Sequence, residues 1–157
     1  MAKSVDYDWY NRRVAFGGEI TSMYDVRKLA ADGVTIVLNL RTSQDEVEFV
    51  QKAGLQYLSN PTSDDGKTAE EDRSKPASWF QASYLAIMSA LEQADTKIYV
   101  HCQDGLNRAP STIYFWLRAM GMGKDDARKH VVDARPKADK GLRWVDDADA
   151  AVKQLGF

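Results

Sequence analysis

The stretch from Thr96 to Met120 constrains the fold more than any other part of this chain, because it reads as strand, tight loop and helix in unbroken succession. Thr96-Lys97-Ile98-Tyr99-Val100 has the β-branched and aromatic content of a short buried strand. His101-Cys102-Gln103-Asp104-Gly105-Leu106-Asn107-Arg108 follows, and Ala109 to Met120 reads as a helix with Pro110 in its first turn. A strand that runs straight into a helix returns to its sheet by a crossover, which calls for parallel strands covered by helices. The loop holds the only cysteine of the chain, with five residues between it and Arg108. Backbone N–H groups at a helix N-terminus meet the positive end of the helix dipole and form a socket for a dianion such as phosphate. The same field favours a thiolate over a thiol. Arg108 adds a planar fork for two phosphate oxygens. A buried cysteine is often only a small hydrophobe, but that reading leaves the glycine, the arginine at this offset and the strand–loop–helix setting unexplained.

The rest of the chain alternates in the same way. Val14-Ala15-Phe16 reads as a strand ending at Gly17-Gly18, and Ser22 caps a helix over Met23–Ala31 that Gly33 stops. Val34 to Leu40 is near-continuously apolar, as a central strand covered on both faces should be. Thr42 or Ser43 is expected to cap a helix carrying Asp45 and Glu46 in its first turn and ending at Gly54. Leu55–Leu58 is another strand, and a polar loop runs from Ser59 to Lys75. Pro76 opens a long helix to Gln93 with Phe80, Tyr84, Ile87, Met88 and Leu91 on one face. Helices at about Lys124–Ala134 and Trp144–Leu155 close the chain, separated by Pro136 and Gly141. The expected fold is α/β: one domain over residues 1–157, with a mainly parallel sheet of about four to five strands flanked by helices, and 1–13 as an N-terminal extension. Ligands of such sheets bind at the carboxyl ends of the strands, where Cys102 falls.

Composition narrows the setting. A chain of 157 residues, 44% hydrophobic, can bury a real core in one domain. One cysteine excludes an internal disulfide framework and fits a reducing, cytoplasmic compartment. No apolar run approaches the ~20 residues of a membrane span, and Met1-Ala2-Lys3-Ser4 does not lead into a signal peptide. The net charge of −2 comes from interspersed acids and bases, which argues against nucleic-acid or polybasic membrane binding.

His-Cys-x-x-Gly-x-x-Arg resembles the signature of the cysteine-dependent protein tyrosine and dual-specificity phosphatases. Asn39-Leu40-Arg41, the Asp64-Asp65-Gly66 loop and the Met120 to Pro136 tail resemble the dual-specificity members, so the likeness runs from about Val14 onward. Rhodaneses share a cysteine-led anion loop, but commonly with one residue fewer before the arginine. The resemblance implies a phosphomonoester hydrolase that needs no metal or other cofactor. In it, Cys102 attacks phosphorus, Arg108 and the loop N–H groups hold the phosphate oxygens, and Gln103, Asp104, Gly105, Leu106 and Asn107 contact substrate. A carboxylic acid must protonate the leaving group and later take a proton from water. The 59–75 loop offers Asp64, Asp65, Glu70, Glu71 and Asp72, and Pro61-Thr62-Ser63-Asp64-Asp65-Gly66 looks like the family's general-acid segment, with Asp64 ahead of Asp65. The resemblance makes His101 a brace for the loop, while His130 reads as surface and Arg41 and Arg135 as structural ion-pair partners.

One residue departs from the pattern. Most relatives carry Ser or Thr after the arginine, and its hydroxyl helps the cysteine leave. This chain has Ala109, giving Arg-Ala-Pro as in the plant phosphoglucan phosphatases. Slower phosphocysteine breakdown is expected, by about one to two orders of magnitude. The loop adds no lysine for a second phosphate, so a phosphorylated protein or a small phosphomonoester, met by a monomer, comes before phosphoglucan, phosphoinositide or RNA 5′-phosphate. Trp79, Trp116 and Trp144 read as core before sugar platforms. Ala109 also sustains an alternative from another class, a phosphate-binding module with little turnover, and an exposed thiolate would suit a redox sensor.

Overall fold

The computed structural model describes residues 4–64 and 77–157. The chain runs β1 (Tyr7–Trp9), β2 (Val14–Gly17), α1 (Met23–Ala31), β3 (Ile36–Asn39), α2 (Val47–Lys52), β4 (Gln56–Ser59), α3 (Ala77–Glu92), β5 (Ile98–His101), α4 (Arg108–Ala119), α5 (Lys124–Ala134), a 3-10 turn at Pro136–Lys140 and α6 (Val145–Leu155). The strands form one sheet in the order β1-β2-β5-β3-β4. β2, β5, β3 and β4 are parallel to one another, and only β1 is antiparallel, on β2.

Alternation along the central strands divides the core into two layers. Val14, Phe16, Ile36, Leu38, Ile98 and Val100 face α3, α4, α5 and α6. Ala15, Val37 and Tyr99 face the other way, onto Val26 and Leu29 of α1 and Val50 of α2. β3 and β5 are buried at every position, as strands covered on both sides must be. β4, at one edge, exposes both of its ends. Aromatic packing fills the larger layer: Phe80 stacks on Phe115 at 5.2 Å, and Trp79 meets Trp144 edge-on at 5.7 Å. Each such ring contributes roughly 1.5–3 kcal/mol by leaving water. All three tryptophans singled out in the sequence are core residues.

Two segments differ from the sequence reading. The segment expected as an extension supplies β1, whose residues pair Tyr7 with Gly17 and Trp9 with Ala15. The second helix begins at Val47, with neither Thr42 nor Ser43 as its cap. The acidic residues expected in its first turn are used elsewhere, Asp45 on Arg41 and Glu46 on His101. Ser22 does cap α1, accepting the Asp25 N–H at 3.3 Å.

The register sets the level of the site. Gly17, Asn39 and His101 stand side by side across β2, β3 and β5. The loops that leave these residues, with the one after β4, therefore converge above the carboxyl edge of the sheet.

Candidate active site

The loop from Cys102 to Asn107 is held open from outside. The Gln103 carbonyl accepts the Glu19 N–H at 2.8 Å. The Asp104 and Gly105 carbonyls accept from Arg135, at 3.1 Å to Nη2 and 2.7 Å to Nε. With these carbonyls turned outward, the backbone N–H groups of residues 103–107 carry no hydrogen bond among the described residues. They and the N-terminus of α4, which begins at Arg108, are donors available to an anion on the loop that carries Cys102. Gly105 permits this path. Its φ is +69°, and an added Cβ would lie 2.5 Å from the Gly17 carbonyl carbon and 2.7 Å from Arg135 Nη2.

Arg135 connects this loop to the first strand. Its guanidinium is fully buried and pairs with Asp6 at 3.1 Å and Asp8 at 2.9 Å, on either side of Tyr7. It is an ion-pair partner, as expected, and in addition the anchor of the loop. Burial would raise the Asp6 carboxyl, but hydrogen bonds and charge from Arg135 and Lys137 outweigh it and hold Asp6 below the ordinary carboxylate range.

Beneath the cysteine lies a buried polar stack. His101 Nδ1 faces the Cys102 carbonyl at 3.0 Å, and Nε2 faces Glu46 Oε2 at 2.7 Å. Tyr99 stacks on the imidazole with 5.3 Å between ring centres and donates its hydroxyl to the Gly18 carbonyl. Burial, reinforced by the charge of Cys102, pushes the Tyr99 phenol well above its usual range, so it remains a donor. Arg41 completes the group through Glu19 at 3.1 Å and Asp45 at 2.5 Å.

Asp64, Cys102, Gln103, Asp104, Leu106, Asn107 and Arg108 line one pocket of about 200 Å³. Arg108 donates from Nη1 to the Thr62 carbonyl at 2.9 Å, which ties the Asp64 segment to the loop. Its buried Nε has no hydrogen-bond partner among the described residues, leaving a donor for an anion oxygen. Burial lowers the basicity of the Arg108 guanidinium, against the opposing attraction of Cys102. Asn107 Nδ2 donates to Asp64 Oδ2 at 3.2 Å, and Arg143 forms an ion pair with the other carboxylate oxygen. Gln103 and Asp104 are exposed, whereas Gly105 and Asn107 are buried. Asp65, Glu70, Glu71 and Asp72 lie outside the described residues.

The two hydroxyls that follow Ala109 on α4 are both committed elsewhere. Ser111 donates to Asn107 Oδ1 at 3.1 Å, and Thr112 to the Arg108 carbonyl at 3.0 Å. His130 sits at the surface with its Nδ1 2.9 Å from the Tyr10 hydroxyl, far from this pocket in both sequence and lining. Among the described residues no group of three or more His, Cys, Asp or Glu is placed to hold a metal ion, and no helix is long and apolar enough to cross a membrane.

Sequence reasoning missed three contributors: Glu46, Arg143 and the Asp6–Asp8 pair. Arg143 had a local signal, a lone charge between the buried apolar residues Leu142 and Trp144. The others had none, because their partners lie far along the chain.

A cysteine, an arginine and a carboxylate thus line one pocket at the carboxyl edge of a helix-covered, mainly parallel sheet. The chain belongs to the family described as dual specificity phosphatase, catalytic domain, whose model matches residues 15–145. It is thus a catalytic domain of the cysteine-dependent, dual-specificity type. Tyrosine-protein phosphatase vhp-1 of Caenorhabditis elegans is 27% identical over 133 residues, 84% of this chain. The match spans only 19% of that relative's own length. Among solved structures, Tk-PTP in the active form superposes with a TM-score of 0.73 at 19% identity, covering 95% of each chain. PTPMT1 in complex with PI(5)P gives 0.78 at 15% identity, covering 96% of each. These structures share the fold.

Proposed function

We propose that this chain hydrolyses phosphomonoesters by way of a phosphocysteine. The observation that carries the reading is the meeting of Cys102, Arg108 and Asp64 around one pocket of about 200 Å³. The Cys102 thiolate attacks phosphorus, a P–S bond forms and the ester P–O bond breaks. Arg108 and the N–H groups of residues 103–107 hold the equatorial oxygens, whose charge they stabilise in the transition state. Asp64 gives its proton to the departing oxygen. As a carboxylate it then takes a proton from water, the water oxygen bonds to phosphorus, and the thiolate leaves with inorganic phosphate as product.

The pocket wall bears on substrate class. Gln103, Leu106 and Asn107 add no charge, and Asp104 adds a negative one, so nothing on the loop receives a second phosphate. A single phosphate ester on a protein, on tyrosine or on serine and threonine, is the substrate this favours. The chain acts as a monomer, in a reducing compartment such as the cytoplasm where its one thiol stays reduced. Ala109 supports a second reading, a phosphate-binding module whose phosphocysteine breaks down too slowly for useful turnover.

The test is kcat/KM for a series of aryl phosphates whose leaving groups differ in acidity. Asp64→Asn slows the poorest leaving groups by about 100-fold or more and the best ones little. An unchanged series for Asp64→Asn, with loss in Asp65→Asn, would transfer the acid role to Asp65.

A further inference from the structure

Asp64 is gripped by donors on both carboxylate oxygens, Asn107 on one and Arg143 on the other. Neither donor is free to wander. Asn107 Oδ1 accepts the Ser111 hydroxyl at 3.1 Å and the backbone N–H of Arg143 at 2.8 Å, which orients the amide so that Nδ2 points to Asp64. One side chain thus holds the backbone of Arg143 with one end and Asp64 with the other. The chain on each side of Arg143 is pinned as well: Leu142 and Trp144 are buried, and Trp144 abuts Trp79. Trp79 Nε1 donates to the Asn60 carbonyl at 3.0 Å, so the root of the Asp64 segment rests on the same aromatic pair. At Gly141 the backbone passes so close to Leu106 that a Cβ would lie 2.6 Å from the Leu106 Cβ. This approach brings the segment carrying Arg143 against the catalytic loop.

Both contacts donate to Asp64, and a guanidinium with only about a quarter of its side chain exposed strongly favours the charged partner. Given Asp64 as the proton carrier, we propose that Arg143 is a positioning residue that holds Asp64 as a carboxylate and sets the pH at which it changes from donor to acceptor. The held form is the one that draws a proton from water, the step that Ala109 leaves without a hydroxyl. Among the described residues, the other ionisable groups that line Asp64's pocket are Cys102, Asp104 and Arg108. They are unchanged in an Arg143 variant, so the comparison isolates this one charge.

The experiment is the pH profile of kcat/KM with p-nitrophenyl phosphate and phenyl phosphate for wild type, Arg143→Met, Arg143→Lys and Asp64→Asn. With its counter-charge gone, Asp64 stays protonated to higher pH, so Arg143→Met moves the alkaline limb upward by about one pH unit, and Arg143→Lys restores it. Arg143→Gln serves as a second neutral variant, and circular dichroism reports whether each is folded. Superimposable profiles for folded wild type and the neutral variants would overturn the inference. So would a KM raised evenly at every pH by Arg143→Met, both alone and when added to Asp64→Asn, since Arg143 would then be touching substrate phosphate. Failure of the underlying reading is separate: Asp64→Asn would itself keep the wild-type limb and leaving-group dependence.

Discussion

His101 and Glu46 are both fully buried and meet at 2.7 Å, Nε2 to Oε2, although 55 positions separate them in the chain. The other ring nitrogen lies 3.0 Å from the Cys102 carbonyl, so the imidazole bridges the cysteine's backbone and the Glu46 carboxylate. The floor of the Cys102 loop is therefore a buried, hydrogen-bonded pair, with Arg41 Nη2 4.0 Å from Glu46 Oε1.

Removing one member strands the other. Glu46→Ala should cost about 3 kcal/mol, because it leaves a buried imidazole nitrogen without its partner. For a domain of this size that lowers Tm by about 6–12 °C. Thermal unfolding followed by circular dichroism measures it, and a Tm within a degree of wild type would show the pair to be unimportant to the fold.

Gly105→Ala tests the loop path directly. The left-handed φ alone costs about 1–2 kcal/mol for alanine, and the new methyl collides with the Gly17 backbone. The loop must shift to relieve the collision, which turns its N–H groups out of register. Competitive inhibition by inorganic phosphate reads the socket. It should weaken by about 100-fold, whereas unaltered inhibition would mean that another surface binds the phosphate.

The Asp6–Arg135 anchor makes stability depend on acid. Asp6 is held below its ordinary value of 3.8 in the folded chain, so its contribution is present above about pH 4 and is lost as pH falls through the lower, folded value. Wild type should unfold at a higher temperature than Asp6→Asn at pH 7, and the gap should close toward pH 3. Melting curves at both pH values check this, and a gap that widens in acid would reverse the sign.

Ala109→Ser supplies the hydroxyl that neither Ser111 nor Thr112 offers, since both are committed elsewhere. A donor to the departing sulfur should raise the steady rate by about tenfold or more and diminish any initial burst. A steady rate that does not rise would mean that phosphocysteine breakdown is not limiting.

What was legible in the sequence was whatever a local pattern can carry. The β-branched run before Cys102 and the helix after Arg108 place the loop, and the apolar stretch from Val34 marks β3 as central. Pro61 to Gly66 points to Asp64 through resemblance, and that carboxylate lines the pocket. The supports of the site were hidden because they are long-range. Glu46 looks like an acidic first-turn residue, and only folding carries it beneath His101. Tyr7–Trp9 is too short a strand to announce itself, and Arg135 gains its second task only once β1 brings Asp6 and Asp8 against it.

The most direct test of the account is rapid-mixing hydrolysis of p-nitrophenyl phosphate by reduced wild type and by Cys102→Ser. Wild type should release a burst of nitrophenol equal to the enzyme concentration, followed by slower turnover, while Cys102→Ser releases none and still binds inorganic phosphate. Nitrophenol release by Cys102→Ser at the wild-type rate would contradict the cysteine mechanism outright.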